Sequence, residues 1–115
     1  MAAEESHTLS KAERLCGKTA VAVLLSQGKT GMAGCLRYRY LPGGGDVSRI
    51  LVSVPKRSFK RAVKRNLVKR RIREAYRLQK HLVSSPVDIQ FIYSSREVLP
   101  FSAIFADMTA VLTAL

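Results

Sequence analysis

The chain of 115 residues has no tryptophan, two cysteines, two histidines and only eight carboxylates. Each shortage removes a class of protein. Two-metal nucleases need clustered carboxylates to hold their cations, and Glu74, Asp46, Asp88 and Asp107 are scattered along the chain. His7 and His81 belong to no HExxH, no GxSxG is present, and neither histidine pairs with a cysteine. Cys16 and Cys35 have neither zinc spacing nor a CxxC arrangement, so they read as reduced thiols of a cytosolic protein. Gly17-Lys18-Thr19 and Gly28-Lys29-Thr30 echo a phosphate-binding loop, but Ala12 and Val23 stand where its leading glycine belongs. No apolar run approaches the ~18 residues that span a bilayer. The opening MAAEESHTLS is too polar for a secretory signal. The expected setting is the cytoplasm, without a membrane partner.

Positive charge is abundant. Twenty Lys and Arg give a net charge of +12, while 47% hydrophobic residues argue against disorder. The length suits a single domain over residues 1–115, with 1–10 frayed. Residues 1–54 carry seven bases and four acids, and residues 81–115 one base and three acids. Residues 55–80 carry twelve bases and one acid, Glu74. Such concentration points to a polyanionic partner, nucleic acid first.

The hydrophobic pattern yields mixed elements. KTAVAVLLSQ, 18–27, reads as a short helix stopped by Gly28, although its β-branched content also fits a strand. CLRYRYL, 35–41, alternates, with Leu36, Tyr38 and Tyr40 on one face and Arg37 and Arg39 on the other. Pro42 to Asp46 reads as a loop or hairpin turn. VSRILVSV, 47–54, is then a second strand, antiparallel to the first if the connection is a hairpin, and ended by Pro55. A long helix is expected from Ser58, as N-cap, to Val83, stopped by Ser84-Ser85-Pro86. VDIQFIY, 87–93, is a third strand. After Pro100, Phe101, Ile104, Phe105, Met108, Val111, Leu112 and Leu115 fall at the spacing of a last amphipathic helix.

On a helical wheel, Arg65, Asn66, Lys69, Arg70, Arg73, Arg77 and Lys80 fall within an arc of roughly 140°. Leu67, Val68, Ile72, Ala75, Leu78 and Leu82 fall opposite. One face is therefore expected to pack on a sheet. The other is a rod of cations about 20 Å long, rich in arginine forks suited to phosphate.

Residues 62–74, AVKRNLVKRRIRE, with the lead-in SVPKRSFKRAVKRN, resemble the signature of the bacterial ribonuclease P protein subunit and its Arg-Asn-Arg core. The resemblance spans roughly residues 9–115, and the Leu9-Ser10-Lys11 opening agrees loosely with it. The third core residue here is Leu67 instead of Arg, on the apolar side of the wheel. The resemblance implies an α+β fold in αβββαβα order: a small, mainly antiparallel sheet of about four strands packed with helices. It implies a left-handed crossover through the basic helix. The pattern yields three strands, so one is missed or two are merged around 47–54. The implied function is that of an accessory subunit. It binds the catalytic RNA and the 5′ leader of precursor tRNA during endonucleolytic removal of that leader. The resemblance further implies that Mg²⁺ is bound mainly by the RNA and that the protein alone is inert. The expected state is a monomer when free and 1:1 with the RNA.

Lys56, Arg57, Lys60, Arg61, Lys64, Arg65, Asn66, Lys69, Arg70 and Arg73 are the expected RNA contacts, with Arg77 and Lys80 behind them. The family's first helix carries aromatics at the leader cleft. Val21 and Leu25 stand at those positions here, leaving Tyr38 or Tyr40 as the stacking platform unless both pack in the core. A ribosomal protein or general RNA chaperone is the alternative that composition alone leaves open.

Overall fold

The computed structural model describes residues 13–15, 17–43, 47–83 and 85–115. The frayed start expected at 1–10, the Leu9-Ser10-Lys11 opening, Cys16, Gly44 to Asp46 and the Ser84 stop lie outside them. The elements are α1 (Lys18–Gln27), β1 (Lys29–Ala33), β2 (Leu36–Pro42), β3 (Arg49–Ser53), α2 (Ala62–Gln79), β4 (Val87–Tyr93) and α3 (Phe101–Ala114). A short 3-10 turn, Lys80–Leu82, follows α2.

The four strands form one sheet in the order β1-β2-β4-β3. β1 and β2 are antiparallel, as are β2 and β4; β3 and β4 are parallel neighbours joined through α2. Of the two readings of the connection between 35–41 and 47–54, the hairpin is excluded, because β4 inserts between those strands. Its sequence is the reason. Val87, Ile89, Phe91 and Tyr93 bury one face, Asp88 is buried on the other, and such a strand is stable only in the middle of a sheet. The fourth strand is β1, not a second strand within 47–54. Its sequence, KTGMA, offers no alternating apolar signal.

α2 and α3 pack together and cover one face of the sheet. Val68, Ile72, Ala75 and Tyr76 of α2 and Ile104, Met108, Val111 and Leu112 of α3 are buried against Leu36, Ile50, Val52, Ile89 and Phe91. α2 lies rotated from its predicted setting. Tyr76 and Gln79 are buried, whereas Leu78 and Leu82 are exposed and Leu67 is half-buried. Packing against two neighbours at once fixes this. Tyr76 meets Phe91 of the sheet at 6.0 Å between rings. Gln79 donates to the Phe105 carbonyl of α3 at 3.0 Å and accepts from the Thr109 hydroxyl. Those bonds satisfy a polar side chain that burial would otherwise penalise.

Ser58 does not cap α2. The helix starts after Arg61, and Ser58 lies in a turn where its N–H donates to the Pro55 carbonyl at 3.0 Å. α3 starts as expected, with Pro100 at its N-cap. α1 ends at Gly28, whose N–H donates to the Leu24 carbonyl at 2.9 Å.

Candidate nucleic-acid interface

The lead-in loop and α2 form one cationic strip. Lys56, Arg57, Lys60, Arg61, Lys64, Asn66, Arg70 and Arg73 are exposed, and Lys69 is half-buried. With no acidic residue in its first turn, the α2 N-terminus adds its positive dipole end to the same side. Eighteen helical residues rise about 27 Å, enough to follow several phosphates.

Three arginines of α2 are engaged inside the protein. Arg65 is half-buried, and its Nη1 donates to the Phe59 and Lys60 carbonyls at 2.8 and 3.0 Å. Arg71 Nη1 donates to the Leu99 carbonyl at 2.5 Å, tying α2 to the segment before α3. Arg77 forks onto Glu74 at 2.8 and 2.6 Å, and that contact raises the pKa of its guanidinium. Lys80 pairs with Glu13 at 2.8 Å. The far end of the expected rod is therefore largely neutralised, and its open charge is concentrated toward the N-terminal half.

The opposite face of the sheet carries a second feature. Residues directly opposite across strands share a face. Met32, Arg37, Ile92 and Ser53 therefore form one row, and Thr30, Arg39, Gln90 and Leu51 the next. Arg49 and Asp88 close the far end with a two-pronged ion pair, at 2.9 and 2.6 Å. A Cβ at Gly28 would run into the Arg39 stem, so the end of α1 lies against this face. A groove of about 460 Å³ opens beside it, lined by Thr30, Gly31, Met32, Arg37, Tyr38, Arg39, Arg57 and Ile92. It continues into a smaller concavity of about 200 Å³ with Ser58, Ser94 and Arg96. Arg57 lines both, so the lead-in loop joins the cationic strip to the groove.

The predicted cleft residues are not all brought together. Val21 and Leu25 lie on α1, half-buried and exposed respectively. Tyr38 and Tyr40 share the face of Leu36 and pack half-buried against the core, 6.0 Å apart, with the Tyr38 ring across Gly31. By strand alternation they face away from Arg37 and Arg39, yet Tyr38 still borders the same groove, whereas Tyr40 is not among its lining residues. Met32, Ile92 and Arg96 were not singled out from the sequence. Arg37 and Arg39 were visible there only as the polar side of an alternating strand.

Among the described residues, no three His, Cys, Asp or Glu side chains gather to hold a metal. No helix among them is long and apolar enough to cross a membrane. Cys35 is free and buried, and burial together with Asp107 pushes its thiol up to about 12.

Fold and charge together define a small basic α+β protein with its open cations on one helix face and its lead-in loop. The Ribonuclease P family model matches residues 9–115. A ribonuclease P protein component from Porphyromonas gingivalis is 43% identical over 90 residues, covering 76% of this chain and 66% of that protein. One from Desulfatibacillum aliphaticivorans is 36% identical over 87 residues, covering 76% and 73%. The chain thus spans just under two thirds of the length of the Porphyromonas relative. The solved ribonuclease P protein of Thermotoga maritima superposes with a TM-score of 0.79 at 22% identity, covering 90% of this chain and 97% of that one. That of Staphylococcus aureus gives 0.79 at 24% identity, covering 90% and 95%. This chain belongs to the bacterial ribonuclease P protein family.

Proposed function

We propose that the chain acts as the protein component of ribonuclease P, removing 5′ leaders from precursor tRNA together with a catalytic RNA. The RNA subunit docks on Lys56, Arg57, Lys60, Arg61, Lys64, Asn66, Lys69, Arg70 and Arg73, with Arg65 lying half-buried behind them. The leader runs as an extended single strand along the groove beside α1. Arg37, Arg39 and Arg57 meet its phosphates there, and Met32, Ile92, Val21 and Leu25 offer apolar contact. Tyr38 borders the same groove, and Tyr40 packs on the core beneath it.

One observation carries this reading: in a chain of this family, the open cations line a strip that continues through Arg57 into a groove. Two RNAs brought together repel. A protein of net charge +12 between them screens that repulsion and raises substrate affinity. The proposal leaves the cleavage chemistry and its Mg²⁺ with the RNA, and sets the complex, one protein to one RNA, in the cytoplasm.

Affinity capture of the tagged full chain from its native lysate tests the proposal. A single structured RNA able to adopt the ribonuclease P RNA fold is the expected product. Ribosomal subunits, or an unselected pool of RNAs, would favour a ribosomal or chaperone role instead.

A further inference from the structure

The helical wheel sets Arg65 among the RNA-facing cations, but the structure gives it a different occupation. We infer that Arg65 is a positioning residue. Its guanidinium holds the lead-in loop in the shape that presents Lys56, Arg57, Lys60 and Arg61, and it neutralises no phosphate itself. The part of this inference that concerns RNA rests on the function proposed above.

Arg65 is half-buried, whereas Lys64, Asn66, Arg70 and Arg73 around it are exposed. An arginine grips phosphate with two parallel N–H groups, either end-on from both terminal nitrogens or side-on from Nε and one of them. The terminal Nη1 carries two hydrogens. Here it faces two acceptors, the Phe59 carbonyl at 2.8 Å and the Lys60 carbonyl at 3.0 Å. The end-on grip is thereby spent on the protein's own backbone, which leaves only the Nε–Nη2 edge of a half-buried side chain.

The loop that Arg65 holds has two other restraints. The Ser58 N–H closes a turn onto the Pro55 carbonyl at 3.0 Å. The Phe59 ring is buried and stacks on Tyr93, with centroids 6.0 Å apart and planes at 29°. Neither ties the loop to α2, and the Arg65 backbone N–H reaches only the loop's last residue, at the Arg61 carbonyl, 3.3 Å away. Arg65 supplies that tie, reaching back from the first turn of the helix to the residues that lead into it. Four exposed cations on a six-residue loop repel one another, and a fixed backbone spares the ordering cost when RNA binds.

The test combines two readouts on Arg65→Met, with Arg70→Met as comparator. The first is the affinity for a ribonuclease P RNA transcript as a function of monovalent salt at fixed Mg²⁺. The second is amide hydrogen exchange at residues 58–61 in the free protein. Arg65→Met is expected to lower affinity about tenfold with no change in the slope of log K against log[salt]. The loop cations still reach their phosphates in the complex, at a greater ordering cost. Exchange at 58–61 accelerates. Arg70→Met is expected to reduce the magnitude of the slope by about 0.9 and to leave exchange at 58–61 unchanged.

A slope reduced by about 0.9 in Arg65→Met, or exchange at 58–61 equal to wild type, overturns the inference. Should that variant fail to fold by circular dichroism, Arg65→Gln is read in the same way. If the wild-type chain does not bind the transcript, the functional proposal is what fails. Hydrogen exchange then still decides whether Arg65 holds the loop.

Discussion

The backbone N–H of Cys35 donates to Oδ2 of Asp107 at 2.9 Å across 72 residues of sequence, pinning the β1–β2 turn to α3. Gly34 makes the approach possible. It sits at φ +56°, and a Cβ there would collide with the Asp107 carboxylate. Asp107→Ala removes an acceptor from a partly buried donor and should destabilise the fold by about 1–3 kcal/mol. Gly34→Ala adds both backbone strain and a clash, and should cost at least about 1 kcal/mol. Urea denaturation at neutral pH measures both.

Alkaline pH should weaken the fold. Burial, reinforced by Asp107, raises the Cys35 thiol from 9.0 to about 12. Burial also raises the Tyr76 hydroxyl from 10.0 to about 12. Both groups lose protons more readily when unfolded. Their contribution is therefore complete below about pH 9 and is lost as pH climbs from there through 12. Cys35→Ala and Tyr76→Phe should each flatten the alkaline limb of a stability–pH curve, whatever they do to the plateau. A limb unchanged in both would show that other groups govern it.

The elements with strong local periodicity were legible in the sequence. The helices at 18–27 and 101–114 and the strand at 87–93 lie where the patterns set them. β1 was not legible, because Lys29, Thr30 and Gly31 carry no apolar signal and the strand is held by pairing with β2. Strand order was not legible either; nothing local in 47–54 reveals that its partner is β4. For the interface, residue type was readable and engagement was not. Arg65, Arg71 and Arg77 look like Arg70 and Arg73 on a wheel. Only the fold shows which guanidiniums already hold the Phe59 and Leu99 carbonyls or the Glu74 carboxylate.

That division predicts unequal salt effects. With six to eight phosphates neutralised, log K should fall against log[salt] with a slope near −5 to −7. Arg70→Gln should make the slope shallower by about 0.9. Arg77→Gln should leave it unchanged, because Glu74 already balances that charge. Equal effects of the two variants would mean that total charge, and not the assigned strip, controls binding.

The two faces of β2 should separate in the same way. Arg37→Ala opens the groove floor and should lower the ratio of precursor to mature tRNA affinity in the reconstituted complex by about threefold to tenfold, the worth of one ordinary hydrogen bond at a solvent-exposed site. Tyr40→Ala removes a half-buried ring packed on the core. It should reduce thermal stability while leaving that ratio nearly unchanged. A ratio sensitive to Tyr40 and indifferent to Arg37 would put the leader on the other face.

Reconstitution addresses the central claim most directly. Purified chain, ribonuclease P RNA and a precursor tRNA are combined at low Mg²⁺, with each macromolecule also omitted in turn, and the cleavage site is mapped. The account predicts that chain and RNA together release the leader at the mature 5′ end much faster than the RNA alone, and that the chain alone releases none. Leader removal by the chain without RNA, or an RNA whose rate the chain leaves unaltered, would contradict it.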